Sequence, residues 1–224
     1  MQRVKLFEGA HKGLRNALSK FSFLLGKADF NNTTDVSALH AHGKELFMML
    51  SSHAGDENSI ILAELEARAP GASKHDMDDH EWLEAEQTAL EHMLDEIKLV
   101  GSKGEDASGM GAELYLKFEK FHGDYLLHTH EEETVTQRLL WENFTDPELH
   151  AMRGKIIGRF TPEAFEKWQS YIMPSIPHKD RFMMFSGIKA NAPEQLPKMM
   201  AMAEKFLPPD EFTLLKNSLN QTAA

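Results

Sequence analysis

The spacing of apolar residues along the chain predicts four long helices. In the first, apolar side chains recur every three or four residues from Val4 and Phe7 through Leu14 and Leu18 to Leu25, as on one face of an α-helix. Runs that alternate apolar and polar residues, which would indicate strands, are absent. The predicted helices cover residues 2–26, 34–68, 73–100 and 110–144.

Short polar connectors separate these helices. Thr34 or Asp35 can cap the second helix, Pro70-Gly71 ends it, and Ser73 can cap the third. The third connector is the run GSKGEDASG. Helices of this length joined by short connectors are typical of an up-down-up-down bundle. We therefore predict an all-α fold, with a four-helix bundle in residues 1–145.

The rest of the chain, residues 146–224, has a different pattern. Of the nine prolines, eight follow Trp141, which indicates shorter helices. Such helices are predicted to begin near Asp146-Pro147, Thr161-Pro162, Pro193 and Pro208, with Pro174 and Pro177 ending the second of them. We expect a C-terminal helical extension that packs on the bundle and does not fold alone.

Composition excludes several classes of function. The net charge of −11 and the lack of a basic stripe argue against nucleic acid as a partner. No apolar run is long enough to span a bilayer, and the N-terminus lacks a signal core, so we expect a cytoplasmic protein without a membrane partner. The absence of cysteine excludes thiolate and iron–sulfur chemistry, so any metal must be held by nitrogen and oxygen.

Histidines and glutamates recur on the four long helices in an ordered way. The first and third helices carry one histidine each, and the second and fourth carry a His-x-x-x-Glu motif. In chain order these residues are His11, His53 with Glu57, His80, and His128 with Glu132. A spacing of four places both side chains of a motif on one helix face.

The position of these residues along the helices predicts that they meet. In an antiparallel bundle all six groups fall at one level, within a turn or two. His128 shares a helix face with Leu114, Phe121, Tyr125 and Leu139, so its imidazole should point inward. Several buried imidazoles and carboxylates in one layer are hard to stabilise without a cation. The pattern therefore indicates a metal site in the bundle interior.

The order of these motifs resembles the bacterial hemerythrin-like (HHE cation-binding) family. Flanking sequence segments are also similar to that family: HKGLR, ILAELEARAPG, HTHEEE with LLWENFTDPEL, and LPPDEF. The resemblance covers nearly the whole chain in its layout and about residues 8–145 in its motifs. It implies a non-haem di-iron site in a four-helix bundle.

By this resemblance, the four histidines would supply nitrogen ligands and the two glutamates would bridge the ions. The cofactor would be two iron ions bridged by oxide, hydroxide or carboxylate, with manganese or zinc as alternatives. Oxygen-carrying hemerythrins use five histidines, and only four match here. The fifth ligand is left open among His75, Glu84, His122 and water.

The resemblance implies a protein that binds O₂, NO or peroxide, and that senses, binds or stores oxygen, redox equivalents or iron. The alternatives are a di-iron enzyme that consumes peroxide or NO, and a scaffold with a vestigial site. No Gly-x-Ser-x-Gly elbow, phosphate loop or zinc-protease signature occurs, so we predict no catalytic residues and favour a binding protein over a dedicated enzyme. An unidentified protein partner also stays open.

Overall fold

The structure is a computed structural model that describes residues 3–221. Within this range the chain is helical and contains no strand, which confirms the all-α prediction. The helices are α1 (Glu8–Lys27), α2 (Thr33–Asp56), α3 (Ala63–Arg68), α4 (Lys74–Ser102), α5 (Ser108–Glu131), α6 (Gln137–Asn143), α7 (Asp146–Ile157), α8 (Pro162–Ser175), α9 (His178–Asn191), α10 (Leu196–Phe206) and α11 (Pro209–Gln221). Two π-helical segments (Glu57–Leu62 and Glu132–Thr136) and a 3₁₀ turn (Pro193–Gln195) complete them.

The contacts divide the chain into two compact units. The first comprises the described residues up to Glu8 together with Ala17–Arg159, and the second comprises Gly9–Asn16 together with the described residues from Phe160 onward. Helix α1 therefore supplies residues to both units, and α7 is grouped with the first.

The long helices of the first unit surround a common apolar core. Helix α2 packs along α4, and α4 packs along α5. On α1, the ring of Phe21 lies edge-on to Phe47 of α2 and to Phe118 of α5, with ring centroids 6.1 and 4.8 Å apart. Gly43 lets α2 approach Leu94 of α4 so closely that a Cβ at this position would overlap the leucine methyl. Each long helix thus has two long helices as neighbours.

A second apolar cluster closes one end of the first unit. It joins the N-terminal segment to the helical segments that follow the two His-x-x-x-Glu motifs and to α7. Its buried members are Phe7, Ile60, Ile61, Leu65, Leu140, Phe144, Leu149 and Met152.

A capping box begins α7, because the backbone N–H and the hydroxyl of Thr145 both donate to Glu148, at 2.7 and 2.8 Å.

The second unit has its own apolar core. Helix α8 packs on α10, and α9 packs on α11. Its buried members are Met173, Phe185, Met199, Met202, Ala203, Leu207, Leu215 and Leu219. The hydroxyl of Thr161 accepts the N–H of Ala164 and begins α8, as the Thr-Pro pair predicts.

Two helix boundaries differ from the sequence prediction. Helix α1 begins at Glu8 and not at residue 2, because contacts with distant residues hold the described segment before it: Trp141 Nε1 donates to the carbonyl of Val4 at 2.6 Å, and the N–H of Leu6 donates to Gln137. At α2, the side chain of Asn32 provides the cap, upstream of both residues proposed for it.

Helix α9 (His178–Asn191) was not predicted. Only Arg181 and Phe185 are buried along its 14 residues, so no apolar stripe marks it in the sequence. Pro177 occupies its N-cap position, whereas the sequence pattern predicts only that Pro177 ends the preceding helix.

The π-helical segments explain a one-residue error in the predicted core. A π turn takes one residue more than the corresponding α turn. The α-helical period counted from His128 selects Leu139, which is only partly buried, whereas Leu140 is fully buried. The segment Glu132–Thr136 lies between them and shifts the buried face by one position.

Among residues 3–221, no helix combines the length and the apolar character that crossing a bilayer requires.

Candidate metal centre

The two His-x-x-x-Glu motifs lie at equivalent points of two helices. His53 is in the last turn of α2 and His128 in the last turn of α5, and each glutamate is the first residue of the π segment that follows. The spacing of four residues brings each pair together: His53 Nε2 lies 3.2 Å from Glu57 Oε1, and His128 Nε2 lies 3.3 Å from Glu132 Oε2. All four side chains are buried.

His80 of α4 lies between the two motifs. Its Nε2 is 3.5 Å from Glu57 Oε2 and 3.5 Å from Glu132 Oε1. Each carboxylate therefore directs one oxygen at the histidine of its own motif and the other at His80. The imidazoles of His80 and His128 meet edge-on with ring centroids 4.7 Å apart. Three histidines and two carboxylates thus alternate in one buried row.

Two overlapping sets of ligand atoms emerge from this cluster. One set joins His80, His128 and Glu132, and the other includes His53, Glu57 and Glu132. Within each set, one ligand atom per residue lies within 4.8 Å of all the others. Glu132 belongs to both sets, as a bridging ligand would. All six residues singled out in the sequence are buried; His11 belongs to the second unit, and the other five fall within these two sets.

The separations between these atoms suit shared coordination better than direct hydrogen bonding. Charge-assisted N–H···O bonds are typically about 2.7–2.9 Å long, whereas the contacts here are 3.2–3.5 Å. Two ligand atoms each ~2.1 Å from one metal ion lie ~3.0 Å apart at a right angle and ~3.4 Å apart at the tetrahedral angle. The donor set of imidazole nitrogens and carboxylate oxygens suits iron, manganese and zinc. The residues present therefore fit a metal ion of this class.

The electrostatics of the cluster favour positive charge. Burial by itself would lower the pKa of His80, but the carboxylates of Glu132 and Glu57 outweigh burial and raise that pKa to about 10. Tyr125, buried on α5, has a pKa raised well above its usual value, first by burial and then by the charges of the same two glutamates. A cation placed between these carboxylates would be stabilised by the same field.

Other side chains hold the histidine rings in place. Asn58 Oδ1 lies 2.8 Å from His80 Nδ1, and Asp79 Oδ2 lies 3.4 Å from His128 Nδ1. Contacts of this kind leave Nε2 of each ring for a metal and fix the ring orientation. Neither residue was singled out in the sequence, because each directly follows or precedes a ligand and so would point about 100° away on an α-helix.

A buried pair beside the site extends the same helical spacing. Thr136 Oγ1 donates to Asp76 Oδ2 at 2.6 Å, and both residues are buried. Asp76 is four residues before His80 on α4, and Thr136 is four residues after Glu132. Burial raises the pKa of Asp76, the bond from Thr136 opposes this, and the charge of Glu132 adds to the rise. The i, i+4 rule could have identified this pair.

A small cavity adjoins the cluster. Its volume is about 90 Å³, and it lies among residues of α2, α4 and α5 and the first π segment. His80 and Tyr125 line it together with Asn58, Glu84 and Gln87. The amide of Gln87 donates to the Phe47 carbonyl and to the Ser51 hydroxyl, so the wall of the cavity is fixed by buried hydrogen bonds.

The residues considered for a fifth ligand lie in three different places. Glu84 lines the cavity. His122 is half-buried against the ring of Phe118, and burial lowers its pKa. His75 lies at the surface near Asp79 and Glu131. None of the three belongs to either set of buried ligand atoms.

Comparison with known proteins gives partial similarities. No protein-family model matches the chain. It is 27% identical over 158 residues to F-box/LRR-repeat protein 5 of Xenopus laevis, 27% over 161 residues to that of Xenopus tropicalis, and 26% over 158 residues to that of Mus musculus. Each match covers 70% of this chain and 22% of the relative. The chain thus spans about a fifth of the length of these relatives.

Proposed function

We propose that this chain holds two non-haem iron ions and binds O₂ or a related small molecule, in order to sense, bind or store oxygen, redox equivalents or iron. The observation that carries the proposal is the buried row in which Glu57 and Glu132 each present one oxygen to His80 and the other to the histidine of their own motif. Two carboxylates that each face two histidines are suited to bridging a pair of ions. By the resemblance, His11 would supply a further nitrogen ligand.

We also infer that α1, the α2–α3 segment, α4 and the α5–α6 segment form an up-down-up-down four-helix bundle. The inference is supported by the neighbour relations of the long helices and by their short connections. Ligands from facing helices of such a bundle converge in its core.

Each group in the site has a separate task in this proposal. Asn58 and Asp79 would orient His80 and His128, so that Nε2 of each ring faces the carboxylates. The burial of Glu57 and Glu132 keeps bulk water from competing for the ligand atoms. A bound pair of ferrous ions would supply the electrons and open coordination positions that O₂, NO or peroxide requires.

The size of the cavity supports a small ligand. Pockets for larger organic ligands usually enclose about 300–1,000 Å³, whereas the cavity beside His80 and Tyr125 measures about 90 Å³. Because a cavity of about 150 Å³ is enough for benzene or xenon, this smaller volume suits a diatomic molecule or peroxide.

The leucine-rich repeats for which these relatives are named are not part of this proposal. Each leucine-rich repeat contributes a β-strand, and residues 3–221 of this chain contain none. The similarity therefore gives no reason to assign repeat-mediated binding to this chain, and a protein partner stays unidentified.

The proposal is tested by metal analysis of the purified chain, with an absorption spectrum recorded in air. We expect about two iron ions per chain and charge-transfer bands in the near ultraviolet. Glu57→Ala and Glu132→Ala should each lower the iron content to one or none and lower the thermal stability, because the metal binds only the folded chain. His42→Ala, which removes an exposed imidazole from α2, is the matched control. Unchanged iron in both glutamate variants would refute the assignment.

A further inference from the structure

A second group of ligand-type side chains lies outside the buried row. His75 and Asp79 are one turn apart on α4, and Glu131 is the last residue of α5. His75 Nε2 lies 3.1 Å from Glu131 Oε1, and His75 Nδ1 lies 3.7 Å from Asp79 Oδ1. One ligand atom from each of the three lies within 4.8 Å of the others. We call this group the outer cluster.

The outer cluster is accessible to ions from solution. The side chains of His75, Asp79 and Glu131 are 60%, 33% and 40% exposed. An imidazole with two carboxylates is a donor set for first-row divalent cations. Glu131 has the largest effect on the pKa of His75 and raises it, burial lowers it by less, and Asp79 raises it further, so the local field favours a cation here too.

The outer cluster shares a residue with the surroundings of the buried ligands. One oxygen of Asp79 faces His75, and the other lies 3.4 Å from Nδ1 of His128. The carboxylate that orients a buried ligand is therefore also a donor at the surface. An ion held by the outer cluster would be separated from His128 by one side chain.

We propose that His75, Asp79 and Glu131 form a solvent-accessible site for a divalent first-row metal ion, where an incoming ion binds before it moves to the buried ligands. The binding step is supported by the distances and exposures within the outer cluster alone. The transfer of the ion inward rests on the proposed function.

Manganese titration of the full chain tests the binding step. Free Mn²⁺ gives a six-line electron paramagnetic resonance signal that disappears when the ion is bound. We expect His75→Ala and Glu131→Gln to bind one equivalent of Mn²⁺ fewer than wild type, or to bind that equivalent about tenfold more weakly. The matched surface variant His42→Ala should bind as wild type does. His75→Ala and Glu131→Gln titrations that coincide with that of His42→Ala would overturn the outer site.

Glu57→Ala separates this proposal from the proposed function. If both are right, this variant loses a buried equivalent and keeps the one that His75→Ala abolishes. If Glu57→Ala binds as wild type while His75→Ala loses an equivalent, the buried centre is wrong and the outer site stands.

The rate of iron uptake tests the transfer step. His75→Ala should acquire Fe(II) under anaerobic conditions several-fold more slowly than His42→Ala and reach the same final iron content. Equal rates in the two variants would overturn the transfer role.

Discussion

Asn58 gives the most direct test of how the buried histidines are arranged. Asn58 Oδ1 lies 2.8 Å from His80 Nδ1, and it is the hydrogen-bond partner that the structure describes for that nitrogen. As an acceptor it favours the tautomer with the proton on Nδ1, which leaves Nε2 facing Glu57 and Glu132. Asn58→Ala removes this acceptor without touching a ligand.

The expected cost follows from the loss of a partner by a buried donor. An unsatisfied buried N–H costs about 1–3 kcal/mol, which corresponds to a roughly five- to 150-fold loss of metal affinity. This range includes the 10–100-fold loss typical when an outer partner of a ligand is removed. Asn58→Asp keeps an acceptor at the same place and should retain wild-type affinity or exceed it.

The assay is anaerobic competition for Fe(II) between the chain and a chromophoric chelator. Ser59→Ala is the matched control, because it removes a polar group from the next position of the same π segment, where the hydroxyl contacts Gly55 and Arg159. Wild-type affinity in Asn58→Ala, in a protein whose Glu57→Ala variant loses metal, would refute the role assigned to Asn58.

Three further predictions concern stability. In urea denaturation, Gly43→Ala should lower the free energy of unfolding by about 1 kcal/mol or more, because overpacking against α4 outweighs the gain in helix propensity. Gly55→Ala should raise it by about 0.5–1 kcal/mol, because the added Cβ meets no atom within 4 Å apart from its chain neighbours and the backbone of its own helix. Thr136→Val should lower the free energy of unfolding by about 1–3 kcal/mol at neutral pH, because the buried Asp76 loses its hydrogen-bond donor. The loss should be smaller at mildly acidic pH, because burial raises the pKa of Asp76 and a protonated carboxyl needs the donor less. The pKa of Glu148 is lowered from 4.5 to about 2, first by Arg68 and then by the cap of α7, so the contribution of this carboxylate to stability is complete above pH 4.5 and disappears toward pH 2. Glu148→Gln should therefore flatten the acid denaturation curve between these pH values, and an unchanged curve would contradict this role of Glu148.

The parts of the fold that could be predicted are those set by local periodicity. The helical class and the cap at Thr161 follow from apolar spacing and from N-cap chemistry. The late start of α1 could not be predicted, because hydrogen bonds to Gln137 and Trp141, more than 130 residues away, hold the segment before it. Helix α9 was missed because few of its side chains are buried. The extension from residue 146 stays a prediction.

The part of the candidate site that could be predicted is the part that follows from the i, i+4 spacing of residues on a helix. That rule selects the motif pairs, and would also have selected Asp76 and Thr136. It cannot select Asn58 or Asp79, because their roles depend on which helices face each other and on the altered backbone at the π segment. The identity of the ions and the ligand that they bind stay predictions.

The π segments also affect how this chain tolerates changes in length. Each begins at a candidate ligand and holds one residue more than a regular α-helix would, so the buried positions after it are offset by one residue from the α-helical count. Deleting one residue between Glu132 and Thr136 would restore a continuous α-helix and place Leu140 eleven residues after His128, on the same helix face. Leu140 would then stay on the face of the apolar cluster, so a one-residue deletion here should be tolerated better than one within the regular helix α5.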